Sequence, residues 1–127
     1  MKIVVHLTRS DGESALHAAF MGVGLATGLI KRGADVTLML DIDAPRLARR
    51  DWAGKSMAPM PGARVMPPRR LGQVLAGFVQ AGGKILMCPH CSAACGAPPD
   101  SLVPGARHAE EGGLAKLVFE ADKVVDY

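Results

Sequence analysis

The order of segments in the first forty residues limits what this chain can fold into more than any other feature. Lys2 to Leu7 is an apolar, β-branched run of the kind that lies buried in a parallel sheet. Residues 13 to 32 are apolar with small residues interleaved, and a basic last turn followed by Gly33 is typical of a helix end. Ala34 to Leu40 is a second apolar run. A strand, a helix and a strand in this order require a parallel pair joined by a right-handed crossover.

The rest of the chain continues the alternation of strands and helices. Ser10 and Glu13 have the spacing of a capping box, which predicts the start of the first helix. The further predicted elements are a short helix over 45–51, a loop over 53–68, a helix over 69–81, a third strand over 84–87, one or two helical turns over 89–96, a short strand near residue 106, a helix over 110–120 and an edge strand over 123–126. This pattern predicts one α/β domain over residues 1–127, with three layers and a parallel sheet of four or five strands.

The composition argues against several classes of protein. A length of 127 residues suits one domain with a single core. The net charge of +3 comes without a dense basic stripe and with only 4% aromatic residues, so no nucleic-acid partner is expected. The longest apolar stretch, Ala15 to Ile30, contains His17 and several glycine and threonine breaks, so no membrane segment is expected. The apolar run at the start is shorter than that of a secretory signal, and we expect a cytoplasmic protein.

Three cysteines, Cys88, Cys91 and Cys95, lie within eight residues directly after the third predicted strand. Disulfide frameworks use even numbers of cysteines spread along a secreted chain, so this cluster indicates chemistry or metal binding. The Cys-Pro-His-Cys pattern resembles the motif of oxidising thioredoxin-fold proteins, but there the motif follows the first strand and most of the domain comes after it. Zinc or iron is the second hypothesis, with the three thiolates as ligands and His90 or His108 as a fourth.

A nucleophilic thiol is the third hypothesis, and it concerns Cys88. This residue would lie at the carboxyl end of the strand, where the N–H groups of the following turns favour a thiolate or a persulfide anion. His90 could supply a proton or a positive charge. The carboxyl ends of parallel strands meet at one edge of the sheet, so Thr8, Ser10 and Asp11, which follow the first strand, are predicted to line the site and bind substrate.

Four segments resemble the DsrE/DsrF-like family of small sulfur-relay proteins, in the branch with a C-x-x-C motif. They are the opening KIVVHLTRSDG, the helix end and strand IKRGADVTLML, the strand and cysteine run GGKILMCPHCSAACG, and the closing GGLAKLVFEADKVVDY. The resemblance covers nearly the whole chain. It implies a flavodoxin-like parallel sheet of about five strands and a homo-oligomer, commonly a trimer or hexamer.

The resemblance also implies roles for the cysteines. Cys88, eight residues before Gly96, matches the residue that carries sulfur as a persulfide, and Cys91 matches the second cysteine of the branch. Cys95 stands where relatives have arginine, which removes a positive charge and adds a thiol that could act as a resolving group. The implied function is that of a sulfur carrier or sulfurtransferase-like protein without a cofactor, whose partners are sulfur donor and acceptor proteins or sulfane sulfur compounds. A zinc or iron module and a thiol-disulfide redox protein remain the alternatives.

Overall fold

A five-stranded, all-parallel sheet forms the centre of the molecule, as the computed structural model shows for residues 1–54, 56–57 and 69–127. Its strands are β1 (Lys2–Leu7), β2 (Asp35–Leu40), β5 (Lys84–Met87), β6 (Ala106–His108) and β7 (Lys123–Asp126), while β3 (Ser56–Met57) and β4 (Arg69–Arg70) form a separate antiparallel pair. The helices are α1 (Glu13–Lys31), α2 (Arg50–Ala53), α3 (Leu71–Gln80), α4 (Pro89–Ala94) and α5 (Gly113–Glu120), with 3₁₀ turns at Ala44–Ala48 and Pro99–Ser101.

The strand order in the sheet is β6-β5-β2-β1-β7. The α/β class, the three layers and the five parallel strands predicted from the sequence are therefore confirmed. The order differs from that of flavodoxin, in which the second strand of the chain lies at one edge and the first and third strands are neighbours. Here the chain steps from β1 to β2, β5 and β6 in one direction, and then returns to place β7 on the free side of β1.

The main core lies between the sheet and the layer formed by α1 and α3, which pack against each other. Its largest fully buried side chains include Phe78 from α3, Val23 from α1, and Leu38 and Ile85 from the sheet. On the opposite face α5 contacts β1, and Leu117 from α5 lies in a small pocket beside Val4. The two faces of the sheet are thus covered unequally, because no residue of α5 is fully buried.

Helix α1 is long and apolar enough to cross a membrane when judged by length and composition only. In this fold it is a core helix, with Ala19, Phe20, Val23 and Ala26 buried against the sheet and α3. Its apolar residues are explained by this packing, since a helix in the outer layer of a three-layer domain contacts both the sheet and a neighbouring helix of the same layer.

Several predicted boundaries are wrong, each for a local reason. Gly12, at φ 90°, is the N-cap of α1 in place of Ser10, whose Oγ is buried and has no hydrogen-bond partner among the described residues. The predicted helix over 69–81 begins at residue 71, because 69–70 pair with 56–57. The helix predicted from residue 110 begins after Gly112, which has a left-handed conformation. The helix predicted over 45–51 is a 3₁₀ turn followed by α2.

The loop predicted over 53–68 falls largely on residues 55 and 58–68, which lie outside the described residues. Of its remaining positions, Ala53 ends α2 and residues 56–57 form β3.

Candidate thiol site

Cys88 is held in place by the backbone on both of its sides. Its N–H donates to the carbonyl of Leu40 at 3.0 Å, which extends the ladder between β5 and β2 to this residue. Its carbonyl accepts from the N–H of Ser92 at 2.8 Å and from the Ser92 hydroxyl at 2.6 Å. The Cys88 Sγ accepts a hydrogen bond from the Cys91 N–H at 3.4 Å. The sulfur therefore faces the first turn of α4, as the sequence predicted for a thiol at the end of this strand.

Cys91 is half-buried and lies in hydrogen-bond contact with Cys88. Burial is the main reason that the pKa of the Cys91 thiol is raised, followed by its hydrogen bond with Cys88 and the negative charges of Cys88 and Asp41. The backbone of Ile42 acts in the opposite direction, since it hydrogen-bonds the Cys91 sulfur and favours its thiolate. Cys91 therefore keeps its proton at neutral pH and can donate it to the sulfur of Cys88.

Cys95 is buried and belongs to the same group of contacts. Its Sγ donates to the carbonyl of Ile42 at 3.2 Å, so the backbone of Ile42 contacts both Cys91 and Cys95. Ile42 has φ 58°, a left-handed conformation that β-branched residues rarely adopt. Across the described residues, no three His, Cys, Asp or Glu side chains are grouped so that they could hold a metal ion. The zinc or iron hypothesis for Cys88, Cys91 and Cys95 thus has no ligand set in this part of the chain.

An open pocket of about 590 Å³ adjoins Cys88. Cys88 and His90 form one side of the pocket, and Glu110 and Glu111 from the turn before α5 form the other. The His90 side chain is exposed at the second position of α4, where it borders the same pocket as Cys88. A small molecule or an extended side chain can reach Cys88 through this pocket, as a sulfur donor or acceptor would have to.

The residues that follow β1 approach the site only indirectly. The Thr8 carbonyl accepts from the Asp43 N–H at 3.0 Å, which ties the end of β1 to the turn after β2. Ser10 is buried, and Asp11 is exposed to solvent. Within the described part of the chain none of these three side chains hydrogen-bonds to a cysteine sulfur. Their predicted substrate-binding role stays a prediction.

His6 and its two carboxylate partners form a part of the site edge that the sequence interpretation missed. His6 Nε2 lies 2.6 Å from Asp41 Oδ1, and Nδ1 lies 2.7 Å from Asp126 Oδ1. Burial alone would lower the pKa of His6, but the hydrogen bonds and charges of Asp41 and Asp126 outweigh it and raise the pKa. A histidine in an apolar strand was the available signal. Its partners could not be identified without knowing that β7 lies beside β1.

Comparisons with known proteins identify the fold. The sequence matches no protein-family model and no curated protein. Among solved structures, the chain is similar to the E. coli protein ychN, with a TM-score of 0.74 and 23% identity over 100% of this chain and 99% of ychN. It is also similar to a protein of unknown function, MTH1491, from Methanobacterium thermoautotrophicum, with a TM-score of 0.73 and 12% identity over 99% and 98% of the two chains. A conserved protein of unknown function, BT1422, from Bacteroides thetaiotaomicron has a TM-score of 0.62 and 15% identity over 99% and 94%. At these identities the likeness establishes a shared three-layer α/β fold over the whole chain.

Proposed function

We propose that this protein is a sulfur carrier that holds sulfane sulfur as a persulfide on Cys88. The observation that supports this most is the position of the Cys88 Sγ, which accepts the Cys91 N–H and borders an open pocket. A sulfur in this position is accessible to a donor and has a hydrogen-bond donor for its anionic form. The resemblance of GGKILMCPHCSAACG to the DsrE/DsrF-like family supports the same residue.

The loading step requires only a thiolate and a persulfide donor. The Cys88 thiolate attacks the outer sulfur of a donor R–S–SH, forms a new S–S bond, and displaces the donor as R–S⁻. The product is Cys88–S–SH, and no oxidant is consumed because the transferred sulfur is already at the sulfane level. His90, on the pocket wall, is the side chain placed to protonate the departing thiolate. Transfer to an acceptor thiolate is the same reaction in reverse.

Cys91 assists by keeping a proton next to Cys88. Its raised pKa, caused first by burial and then by contact with Cys88, makes it a hydrogen-bond donor to the loaded sulfur. Cys95 is in a different position, because its thiol is buried and donates to the Ile42 carbonyl. We assign the persulfide to Cys88, the supporting thiol to Cys91, and no direct contact with the transferred sulfur to Cys95.

Mass spectrometry after exposure to an inorganic polysulfide tests this assignment. After excess donor is removed and free thiols are blocked with iodoacetamide, wild type should gain the mass of one sulfur atom, located on Cys88 by fragmentation. Cys88→Ser should lose this gain, whereas the matched control Cys95→Ser should keep it. Equal loading of Cys88→Ser and wild type would contradict the assignment.

A dithiol that cycles through a Cys88–Cys91 disulfide is the second candidate, because these two residues are in hydrogen-bond contact. Its oxidant would be a disulfide substrate, which takes up both electrons and is reduced to two thiols. The same experiment with oxidised glutathione in place of polysulfide separates the two functions. A redox protein should lose the two thiol hydrogens without gaining sulfur, and this mass change should require Cys91. Persulfide loading on Cys88 should instead persist in Cys91→Ser.

The cellular setting and the assembly are also proposals. Three cysteines clustered within eight residues do not form the disulfide framework of a secreted protein, which supports a reducing compartment such as the cytoplasm. The trimer or hexamer that the family resemblance implies is supported by exposed apolar side chains near the end of α5 and on β7, with Phe119 90% and Val124 42% exposed. Light scattering of wild type and Phe119→Ser tests this assembly. A monomeric mass for both proteins would contradict it.

A further inference from the structure

Three segments of the chain meet at the imidazole of His6. His6 lies on β1, Asp126 is its direct neighbour on β7, and Asp41 follows β2 on the other side. The two ring nitrogens face one carboxylate each, at 2.7 Å for Asp126 and 2.6 Å for Asp41. His6 therefore ties the carboxyl ends of three adjacent strands together at the edge of the sheet that holds the thiols.

This geometry requires a doubly protonated ring when both carboxylates are ionised. A carboxylate oxygen can only accept a hydrogen bond, so each ring nitrogen must carry a hydrogen. The helix on the His6 face of the sheet is α5, because the neighbouring β1 residues Val5 and Leu7 point into the core on the α1 side. Helix α5, which packs on β1, has Lys116 and Glu120 as its charged residues, and Glu120 pairs with Lys2 at the opposite end of the strand. The cluster of His6, Asp41 and Asp126 thus has a net charge of −1, whereas a neutral ring would leave it at −2.

Asp41 begins the turn that contacts the thiols of Cys91 and Cys95. Its N–H donates to the Leu7 carbonyl at 3.3 Å, and the next residue, Ile42, has the left-handed conformation described above. The Ile42 backbone contacts Cys91, and its carbonyl accepts from the Cys95 thiol. A change in the position of Asp41 is therefore transmitted through one residue to two cysteines.

We propose that His6 is a positioning residue that holds Asp41, and with it the turn at Ile42, against Cys91 and Cys95. The protonation of His6 thereby sets the reactivity of the thiols at the Cys88 site. This proposal concerns the regulation of the Cys88 site and rests on the function proposed above. The imidazolium also offsets the charge of Asp41, which disfavours the thiolate of Cys91. Loss of the imidazolium charge leaves Asp41 uncompensated and makes thiolate formation harder.

The direct test of the protonation state uses the wild-type chain and needs no variant. Nitrogen-15 NMR of histidine-labelled protein at neutral pH should show His6 with two protonated ring nitrogens. A neutral tautomer of His6 at that pH would overturn the proposal, whether or not the protein loads persulfide.

The functional test measures the rate at which iodoacetamide alkylates each cysteine, with peptide mass spectrometry as the readout. The pH range is about 5 to 9, which includes the ordinary pKa values of histidine and cysteine. In His6→Gln the pH midpoint for alkylation of Cys88 should rise by about half to one unit, below the 1–3 units of a directly adjacent opposite charge. Cys95, protected in wild type, should become reactive. The matched control His17→Gln removes an imidazole on α1, on the opposite face of the sheet from His6, and should leave both quantities unchanged.

A second variant keeps the test decisive if His6→Gln does not fold. Asp126→Asn retains an acceptor for His6 but removes the exposed carboxylate, so the fraction of protonated His6 at neutral pH should fall and Cys95 alkylation should rise. A folded His6→Gln or Asp126→Asn with the wild-type pH profile and a protected Cys95 would overturn the proposal. These measurements use free thiols and do not depend on persulfide loading, so failure of the sulfur-carrier assignment is observed separately.

Discussion

The conformation of Ile42 leads to a prediction in which the usual order of two substitutions is reversed. At most positions alanine is more stable than glycine by about 0.5–1 kcal/mol, because glycine loses more backbone entropy on folding. At φ 58° a side chain with a Cβ costs about 1–2 kcal/mol, and glycine avoids this cost. At the middle of each range, about 0.75 kcal/mol is subtracted from about 1.5 kcal/mol, so Ile42→Gly should be more stable than Ile42→Ala by about 0.5–1 kcal/mol.

The comparison between these two variants removes the other effects of losing the isoleucine side chain. The Ile42 side chain is 59% exposed, and both substitutions delete the same partly buried atoms beyond Cβ. Both also leave the N–H and the carbonyl that contact the thiols of Cys91 and Cys95. The alkylation rates of the two variants should therefore be equal, although their stabilities differ.

Urea unfolding followed by circular dichroism measures this difference as a free energy of unfolding. In thermal unfolding of a domain of this size, 0.5–1 kcal/mol corresponds to about 2–5 °C in Tm. Gly77→Ala is the matched control, because Gly77 lies inside α3 with open space around its Cβ position, and there alanine should be the more stable residue by about 1 kcal/mol. An Ile42→Ala variant as stable as Ile42→Gly would refute the argument that this turn is strained.

Two further predictions concern the core and the histidine. Gly83→Ala should lower the free energy of unfolding by about 1–3 kcal/mol or more, because the new Cβ would overlap the buried ring of Phe78; a stability equal to wild type in urea unfolding would contradict this. The folded-state pKa of His6 is raised above its ordinary value of 6.5. While Asp41 and Asp126 are ionised, the contribution of His6 to stability is therefore complete below about pH 6.5, and it is lost as the pH rises through the folded-state pKa. Wild type should thus lose more stability between pH 6.5 and pH 8 than His6→Gln. If the free energies of unfolding of the two proteins change in parallel with pH, the ion pairs of His6 do not contribute as argued.

The secondary structure was predicted well wherever a segment has its own apolar pattern. Lys2 to Leu7, residues 84–87 and residues 123–126 were assigned as strands with the observed bounds. The errors lie at helix starts, where Ser10 had the correct spacing for a cap but Gly12 took that position. A glycine with positive φ can end or begin a helix without any side-chain contact, and this choice depends on how the flanking strand enters the turn.

The thiol site was predicted in part, and the division has a physical cause. The sequence by itself determined that Cys88 follows a buried strand and that Cys91 lies one helical turn later, because both facts depend on local spacing. Only the tertiary structure decided that His6 lies between Asp41 and Asp126 and that the Ile42 backbone contacts two thiols. These contacts depend on the return of β7 to the free side of β1, which pairs residues 120 positions apart. Hydrophobic periodicity encodes which residues form strands, but it does not encode the order in which parallel strands lie in a sheet.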